Sequence, residues 1–258
     1  MKVIFHDDFY GVYALDPAAG AGRLEPIINQ IIRDDEFYEL VEAVPAKKKD
    51  ILRAHADRHF LSVQSDSIVF PMAMLAAGGA IQAAEIAYTE KNASFGLIRP
   101  PGHHASRDSC WGFCYFNNIA VSLLYLMNKY RFQSAFILDF DLHTGDGNIN
   151  ILLDGDYPNI QILNPYSNNE FVYMEEIKDT LDSLSNIDII VASAGFDNAR
   201  GDWGNVLSTE SYNNIGSLLK KYSLKLCSGR RYALLEGGYN YGLMPTNFDS
   251  FCKGFGDD

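Results

Sequence analysis

The fold and chemistry of this chain are best judged from one stretch, Phe136-Ile-Leu-Asp-Phe-Asp-Leu-His-Thr-Gly-Asp-Gly147. Here a hydrophobic run passes directly into Asp139, Asp141, His143 and Asp146. Because alternate side chains of a strand point to one face, the first three would lie together if the extended backbone continues. A carboxylate and an imidazole at this spacing can bind a zinc-like metal ion. A polar strand end with an aspartate capping the next helix would contain the same residues, so both interpretations stay open at this point.

Outward from this stretch, short apolar runs alternate with longer segments of helical periodicity. The predicted strands are Lys2–Phe5, Phe95–Ile98, Ala135–Phe140, Ile160–Leu163, Ile187–Ala192 and Tyr232–Leu235. The predicted helices are Pro71–Thr89, Asn118–Tyr130, Glu170–Leu184 and Thr209–Leu226. Continuous apolar strands are typical of a parallel sheet buried on both faces. The alternation therefore predicts an α/β fold with a mostly parallel β-sheet flanked by helices on both faces. Since no linker or repeat interrupts the chain, we expect a single domain over residues 1–258.

The charge balance restricts the partners of this 258-residue chain. Lys and Arg number 21 and Asp and Glu number 33, which gives a net charge of −12. Nucleic-acid binding generally requires a basic patch, so no nucleic-acid partner is expected. An acidic field attracts cationic amines and basic peptides, although solubility alone would also explain the charge.

The apolar runs and the cysteines bear on the compartment. The first residues lack the apolar region of a signal peptide. The longest apolar runs, such as Ala120–Met127, are far shorter than the about 20 residues that span a bilayer. The four cysteines contain no zinc-type C-x2-C pair, so we expect reduced thiols rather than a metal site. These features predict a cytoplasmic protein without a membrane partner.

Three further predicted strand ends carry polar residues, and ligands of open α/β sheets bind beyond such ends. Ser193-Ala-Gly-Phe-Asp197 offers a third carboxylate, which is either a metal ligand or a turn aspartate. Arg99-Pro-Pro-Gly-His-His-Ala105 presents two adjacent histidines, which are either acid–base catalysts or a surface pair. Leu235-Glu-Gly-Gly-Tyr239 ends in a tyrosine that either donates its hydroxyl to an oxyanion or packs in the core.

Taken in order, these motifs identify a family. R-P-P-G-H-H-A, G-F-C-Y-F-N-N-I-A at Gly112–Ala120, L-D-F-D-L-H-T-G-D-G, S-A-G-F-D and L-E-G-G-Y together resemble the zinc-dependent histone deacetylase and acetylpolyamine amidohydrolase family. That resemblance implies the arginase-like α/β fold. It also implies zinc-dependent hydrolysis of the acetyl amide of an N-acetylated primary amine. The substrate would be acetyl-lysine in a protein or peptide, or an acetylpolyamine, and the products would be free amine and acetate.

The resemblance also assigns roles to single residues. It implies metal ligands at Asp141, His143 and Asp197, catalytic residues at His103, His104, Asp139, Asp146 and Tyr239, and substrate-binding residues at Gly112, Phe113 and Arg23. Within this set, Asp139 would orient His103 and Asp146 would orient His104. The implied cofactor is one catalytic Zn²⁺, with Fe²⁺ as an alternative in the cell, and a structural K⁺ is implied near Asp139.

Two departures from the family pattern affect the rim of the site. Trp111 stands where smaller residues are usual, which predicts a bulkier rim. The segment after Ile160–Leu163 is short and lacks a motif for the second aromatic wall of the substrate tunnel. Either the site is more open on that side, or Tyr166, Phe171 or Tyr173 supplies the wall.

Two other functions remain open at this point. A non-catalytic module of the same fold would bind an acetylated ligand or a metal without turnover. Arginase-like manganese chemistry would need more bridging Asp and His than these loops contain. Outside the motifs, His55 and His59 are expected on one face of a helix, at a solvated surface rather than a second metal site. The sequence gives no indication of the oligomeric state.

Overall fold

The computed structural model describes residues 1–155, 157 and 159–257. Its strands are β1 (Lys2–Phe5), β2 (Glu39–Glu42), β3 (Ala93–Gly96), β4 (Ala135–Asp139), β5 (Ile160–Leu163), β6 (Ile189–Ala194) and β7 (Arg231–Leu235). Within the described residues these seven strands form one sheet in the order β2-β1-β3-β7-β6-β4-β5, and every neighbouring pair is parallel. The predicted α/β class with a parallel sheet is confirmed.

Helices connect the strands and cover the sheet. They are α1 (Glu25–Arg33), α2 (Lys48–Ile51), α3 (Asp57–Gln64), α4 (Val69–Glu90), α5 (Asn118–Tyr130), α6 (Asp146–Asn148), α7 (Glu170–Ser183), α8 (Thr209–Cys227) and α9 (Met244–Phe255). A 3-10 turn covers Asp7–Tyr10 and a π-helical turn covers Ile149–Leu153. Helix α4 packs against α5 and α8 packs against α9, and both α4 and α8 contact the central strand β7.

Polar capping residues explain why three predicted helices begin where they do. The side chains of Asn117, Asn169 and Ser208 each accept a hydrogen bond from a backbone N–H in the first turn of α5, α7 and α8. Such caps satisfy donors that the helix itself leaves free. The predicted starts of these three helices therefore coincide with the observed ones.

The sheet differs from the prediction at its edge and at two strand ends. Strand β2 was not predicted, because Glu-Leu-Val-Glu is exposed at three of its four positions and contains no apolar run. Among the described strands it pairs with β1 alone, so it lies at the edge of the sheet, where side chains are more exposed than in the centre. Strands β3 and β6 are each offset by two residues from the predictions. Periodicity does not resolve such offsets when the flanking residues are also buried and apolar, as Leu97 and Ile98 are.

Helix α4 is the one described helix that is long and apolar enough to cross a membrane by length and composition. The sequence-based expectation of short apolar runs did not anticipate it. In the structure 72% of its apolar window is buried inside the protein, which is typical of a core helix that is hydrophobic all round. Its Gly78 packs directly on another segment, since an added Cβ would lie 1.8 Å from the Val44 carbonyl oxygen.

Candidate active site

Four neighbouring strands, β3, β7, β6 and β4, run parallel and therefore end at one edge of the sheet. Asp139 is the last residue of β4, and the connections that follow the four strands carry every other predicted site residue except Arg23, which precedes α1. The topology thus gathers motifs that lie more than a hundred residues apart in sequence. A cavity of about 160 Å³ opens at this edge.

Asp141, His143 and Asp197 come together beside the cavity. One ligand atom from each lies within 4.8 Å of the others. His143 Nδ1 is 3.2 Å from Asp141 Oδ1 and 3.4 Å from Asp197 Oδ2. Both carboxylates are buried, and Asp197 Oδ2 has no hydrogen-bond partner among the described residues. An unsatisfied buried carboxylate oxygen calls for an explanation, and a bound cation supplies one.

The surroundings of this cluster fit a zinc-like ion. An added Cβ at Gly195 would lie 2.3 Å from Asp141 Oδ2, and one at Gly237 would lie 2.4 Å from Asp197 Oδ2. Both glycines therefore leave space that the carboxylates need. Backbone donors also fix one oxygen of each carboxylate. Gly237 N–H donates to Asp141 Oδ2 at 2.7 Å, and Leu142 N–H donates to Asp197 Oδ1 at 3.0 Å. Two carboxylates and one imidazole suit Zn²⁺ or Fe²⁺ and leave a coordination position open.

The electrostatics of the cluster favour a cation. Burial, followed by the charge of Asp141, raises the pKa of Asp197 to about 7. Burial would also raise the pKa of Asp141, but the charge of His103 and the hydrogen bond from His143 together lower it. The neighbouring carboxylates of Asp141 and then of Asp197 raise the pKa of His143 to about 10. Two carboxylates this close are stable as anions only with positive charge beside them.

A second group, His103, Cys114 and Glu236, also lies within 4.8 Å and is wholly buried. Burial raises the pKa of the Cys114 thiol well above its usual range, which disfavours the thiolate that binds metals. One oxygen of Glu236 already accepts hydrogen bonds from the backbone N–H groups of Gly102 at 2.7 Å and His103 at 3.2 Å. The chemistry of this group therefore favours a structural role.

The tandem histidines are each paired with an aspartate. His103 Nδ1 lies 3.3 Å from Asp139 Oδ2, and His104 Nδ1 lies 2.6 Å from Asp146 Oδ1. The two rings are 4.0 Å apart between centroids. Burial, followed by the neighbouring charge of His103, lowers the pKa of His104 to about 4. His104 is therefore neutral at physiological pH, and its Nε2 is able to accept a proton.

His103 has the opposite protonation. Burial alone would lower its pKa, but the charges of Asp141, Asp139 and Glu236 outweigh burial and raise that pKa well above the usual value. Burial also raises the pKa of Glu236 itself to about 7. Since its carboxylate clamps the backbone of Gly102 and His103, Glu236 ties the loop after β3 to the end of β7. Sequence reasoning quoted this glutamate within a motif but gave it no role.

His55 and His59 support the same loop, contrary to the sequence-based expectation of a solvated helix face. His55 lies before α3, and both side chains are buried. The N–H of Asn117 donates to His55 Nε2 at 2.8 Å, and His55 Nδ1 donates to the Ser106 carbonyl at 2.9 Å. Burial lowers the pKa of His55 to about 3, so it stays neutral and keeps both bonds. Spacing alone did not reveal these backbone partners.

Tyr239 is held at the cavity by backbone contacts. Its N–H donates to Asp202 Oδ2 at 2.8 Å, and Gly238 before it adopts a φ of +122° that favours glycine. Burial, followed by the charges of Asp141 and Asp197, raises the pKa of Tyr239, so the hydroxyl keeps its proton.

Arg23 lies beneath this tyrosine and is fully buried. Its guanidinium is 5.8 Å from the Tyr239 ring centroid. Its Nε donates to the Gly238 carbonyl at 3.0 Å, and Nη2 donates to the Glu236 carbonyl. The structure therefore places Arg23 as a support of the loop that carries Tyr239.

Aromatic side chains form the walls of the cavity, which Gly112 and Phe113 also line. Trp111 stacks on His104 at 3.7 Å between centroids, and its Nε1 donates to Asp146 Oδ2 at 2.9 Å. Gly112 approaches the same imidazole, because an added Cβ would lie 2.7 Å from His104 Cδ2. The bulky residue predicted at the rim is thus in contact with His104, one of the two predicted catalytic histidines.

The second aromatic wall comes from a residue that sequence reasoning missed. Trp203 lines the cavity and stacks on Tyr239 at 4.0 Å between centroids. None of the three expected candidates lines this cavity: Tyr166 and Phe171 are exposed, and Tyr173 is buried with its hydroxyl donating to the Phe140 carbonyl. A signal was available, because the chain has only two tryptophans and both lie close to quoted motifs.

The parallel sheet, the carboxylate–imidazole cluster and the paired histidines define an α/β protein of the arginase–deacetylase class. A model of the histone deacetylase domain matches residues 65–181. A protein of Archaeoglobus fulgidus named probable deacetylase is 31% identical over 94% of this chain and 82% of its own length. The chain therefore belongs to the histone deacetylase family.

More distant relatives agree with this membership. Histone deacetylase 5 of Arabidopsis thaliana is 27% identical over 86% of this chain, and polyamine deacetylase HDAC10 of Danio rerio is 26% identical over 81%. The chain spans 39% and 36% of the lengths of these two relatives. A crystal structure of the HDA15 HD domain superposes with a TM-score of 0.84 at 22% identity, covering 98% of this chain and 88% of that one. That likeness bears on the fold alone.

Proposed function

We propose that this chain is a zinc-dependent deacetylase that hydrolyses the acetyl amide of an N-acetylated primary amine to free amine and acetate. One observation carries the proposal: a neutral histidine held by an aspartate, a protonated tyrosine and the imidazole of the carboxylate–imidazole cluster all line one small cavity. Metal-assisted hydrolysis of an amide uses a proton acceptor, an oxyanion donor and a Lewis acid at one place.

Asp141, His143 and Asp197 would hold the ion. When bound there, Zn²⁺ would polarise the acetyl carbonyl and lower the pKa of a water molecule. Fe²⁺ suits the same donors, and a structural K⁺ near Asp139 stays a prediction from the family resemblance.

The side chains around the cluster would move and hold the protons. The Asp146 carboxylate fixes His104 Nδ1–H, so Nε2 takes a proton from the attacking water and later gives it to the leaving amine. The Tyr239 hydroxyl donates a hydrogen bond to the oxygen that develops negative charge. His103, kept protonated by the acids around it, balances their negative charge. Water adds to the carbonyl, the C–N bond breaks, and the amine leaves with the proton from His104.

Two substrate classes fit this reaction: acetyl-lysine in a protein or peptide, and acetylpolyamines. The net charge of −12 suits any cationic amine and does not separate them. The names of the plant and fish relatives refer to histones and to polyamines, respectively. The amine is therefore the part of the proposal that an experiment should address first.

The test is acetate release by the zinc-loaded protein from an acetyl-lysine peptide and from an acetylated diamine, measured side by side. We expect release from at least one substrate and a fall in kcat of about 10² to 10³ for Tyr239→Phe, since one oxyanion donor is lost. A metal-stripped sample should be inactive. Zinc bound at full occupancy with no acetate released from either substrate would favour the binding module instead.

A further inference from the structure

A second groove adjoins the catalytic cavity. We call it the β5–α7 groove, because Pro165 and Tyr166 of the connection between β5 and α7 form part of it. Leu142, Asn198 and Val206 also line it, and its volume is about 140 Å³. Small-molecule sites are usually above about 300 Å³, whereas a cavity of about 150 Å³ holds a molecule the size of benzene. The β5–α7 groove therefore has room for one side chain rather than for a separate ligand.

The groove is continuous with the proposed site through the backbone. Leu142 immediately precedes His143, Asn198 immediately follows Asp197, and Gly204 follows Trp203. Gly204 N–H donates to the Asp197 carbonyl at 2.8 Å. His143 and Trp203 line the cavity while their neighbours Leu142 and Gly204 line the groove, so the same two backbone segments border both.

The lining of the groove is uncharged. Among the residues that the structure describes, none of those lining it bears a carboxylate or a basic group. Its buried polar groups are already bonded, since the Tyr173 hydroxyl and the Asn198 amide both donate to the Phe140 carbonyl. Tyr166 stands 89% exposed at the groove. An aromatic ring exposed beside an uncharged concave surface is typical of a recognition site for an apolar group.

Two nearby acids lie outside the groove lining and already have hydrogen-bond or ion-pair partners. Glu176 Oε2 accepts a hydrogen bond from the Tyr166 N–H at 3.3 Å. Glu170 pairs with Arg200 and accepts hydrogen bonds from the Ser208 N–H and the Ser211 hydroxyl, both at 2.6 Å. A second ammonium group, such as a polyamine would bring, finds no carboxylate in the described lining of the groove.

We propose that the β5–α7 groove binds an apolar or aromatic side chain of a peptide substrate, from a residue close in sequence to the acetylated lysine. This inference rests on the proposed deacetylase function and deepens it, because it selects peptides over polyamines. The acetyl-lysine side chain enters the catalytic cavity while the peptide passes over Trp203, and a neighbouring side chain fills the groove.

The test compares matched peptides with one acetyl-lysine, in which each flanking position carries Phe, Gly, Lys or Asp in turn. A minimal substrate, acetyl-lysine blocked at both ends, does not reach the groove. We expect kcat/KM for Phe at one flanking position to exceed that for Gly by about tenfold, as burial of an aromatic side chain would give. In Tyr166→Ala this preference should fall to about twofold, while turnover of the minimal substrate stays unchanged.

Two further variants separate recognition from a general structural effect. Phe171→Ala removes another exposed aromatic ring that does not line the groove, so the preference should persist. Asn168 lines the groove and is exposed. Asn168→Lys should shift the preference at the same flanking position toward Asp, and Asn168→Asp should shift it toward Lys, by about threefold to tenfold in kcat/KM. A structural perturbation would not reverse with the sign of the charge.

The outcomes distinguish the two proposals. Turnover of the minimal substrate with no flanking preference, or with a preference that Tyr166→Ala leaves intact, overturns the groove assignment and leaves the deacetylase intact. If no substrate releases acetate, the deacetylase proposal fails. The groove assignment is then tested by peptide affinity, which the fluorescence of Trp203 reports in the Trp111→Phe variant. The peptide with Phe at the flanking position must still bind more tightly than the peptide with Gly there.

Discussion

Two neighbouring histidines of this protein have the same kind of partner and opposite protonation. His103 pairs with Asp139, which is fully buried, and His104 pairs with Asp146, whose side chain is 41% exposed. The charges of Asp141, Asp139 and Glu236 overcome burial and raise the pKa of His103, whereas burial and the charge of His103 lower that of His104 to about 4. The buried charges around the two histidines, rather than the partner aspartate alone, therefore set the protonation state of each imidazole.

The largest expected effect follows from removing each histidine in turn. His104→Ala deletes the proton acceptor, so kcat should fall by about 10² to 10⁴, the usual contribution of a general acid–base group. His103→Ala removes a positive charge but leaves the acceptor, so its loss in kcat should be at least about tenfold smaller. Steady-state kinetics at saturating zinc, with zinc content measured for both variants, checks this order. Equal losses in the two variants would contradict the division of roles.

The second prediction concerns the partner that orients His104. Asp146→Asn keeps the shape but weakens the hydrogen bond to Nδ1, which is 2.6 Å in the native protein, so kcat should fall by about tenfold to a hundredfold. Asp108→Asn is the matched control, because that aspartate is exposed and pairs with Arg58 at the surface. An Asp146→Asn variant as active as the control would mean that the His104 tautomer is not set by this bond.

Most residues of the candidate site could be predicted from the sequence, because the histidines, their aspartates and Tyr239 lie in short motifs at or after the ends of predicted strands. A motif at a strand end needs only the topology of a parallel sheet to be brought into place. The prediction failed where a role depends on folding across long separations. Trp203 reaches Tyr239 because Asp202 accepts hydrogen bonds from the N–H groups of Tyr239 and Asn240, a contact that no local pattern indicates.

For His55 and His59 the sequence-based prediction failed in the opposite way, because it placed buried residues at the surface. Spacing placed His55 and His59 on a solvated helix, but the backbone carbonyl of Ser106 and the N–H of Asn117 draw His55 inward. Buried polar backbone groups must find partners, and a neutral imidazole supplies one donor and one acceptor. The loop after β3 contains the backbone groups that need these partners. They can be identified only in the folded chain.

The smallest expected effect concerns the pH dependence of activity. Trp111 covers the His104 imidazole at 3.7 Å and holds Asp146 by its indole N–H. Trp111→Ala admits water to the ring, so the pKa of His104 should rise from about 4 toward the ordinary value of about 6.5. His104 must be neutral to accept a proton, so activity falls as pH drops through its pKa, and a higher pKa moves the acid limb of kcat/KM upward by about one unit.

Trp111→Phe separates the two contacts of this tryptophan, because it keeps a stacked ring and loses only the hydrogen bond to Asp146. Its acid limb should lie between those of the native protein and Trp111→Ala. Acid limbs that coincide in all three proteins would mean that the positive charge of His103, rather than the aromatic cover, keeps His104 neutral. The contrast between the two histidines would then arise wholly within the pair.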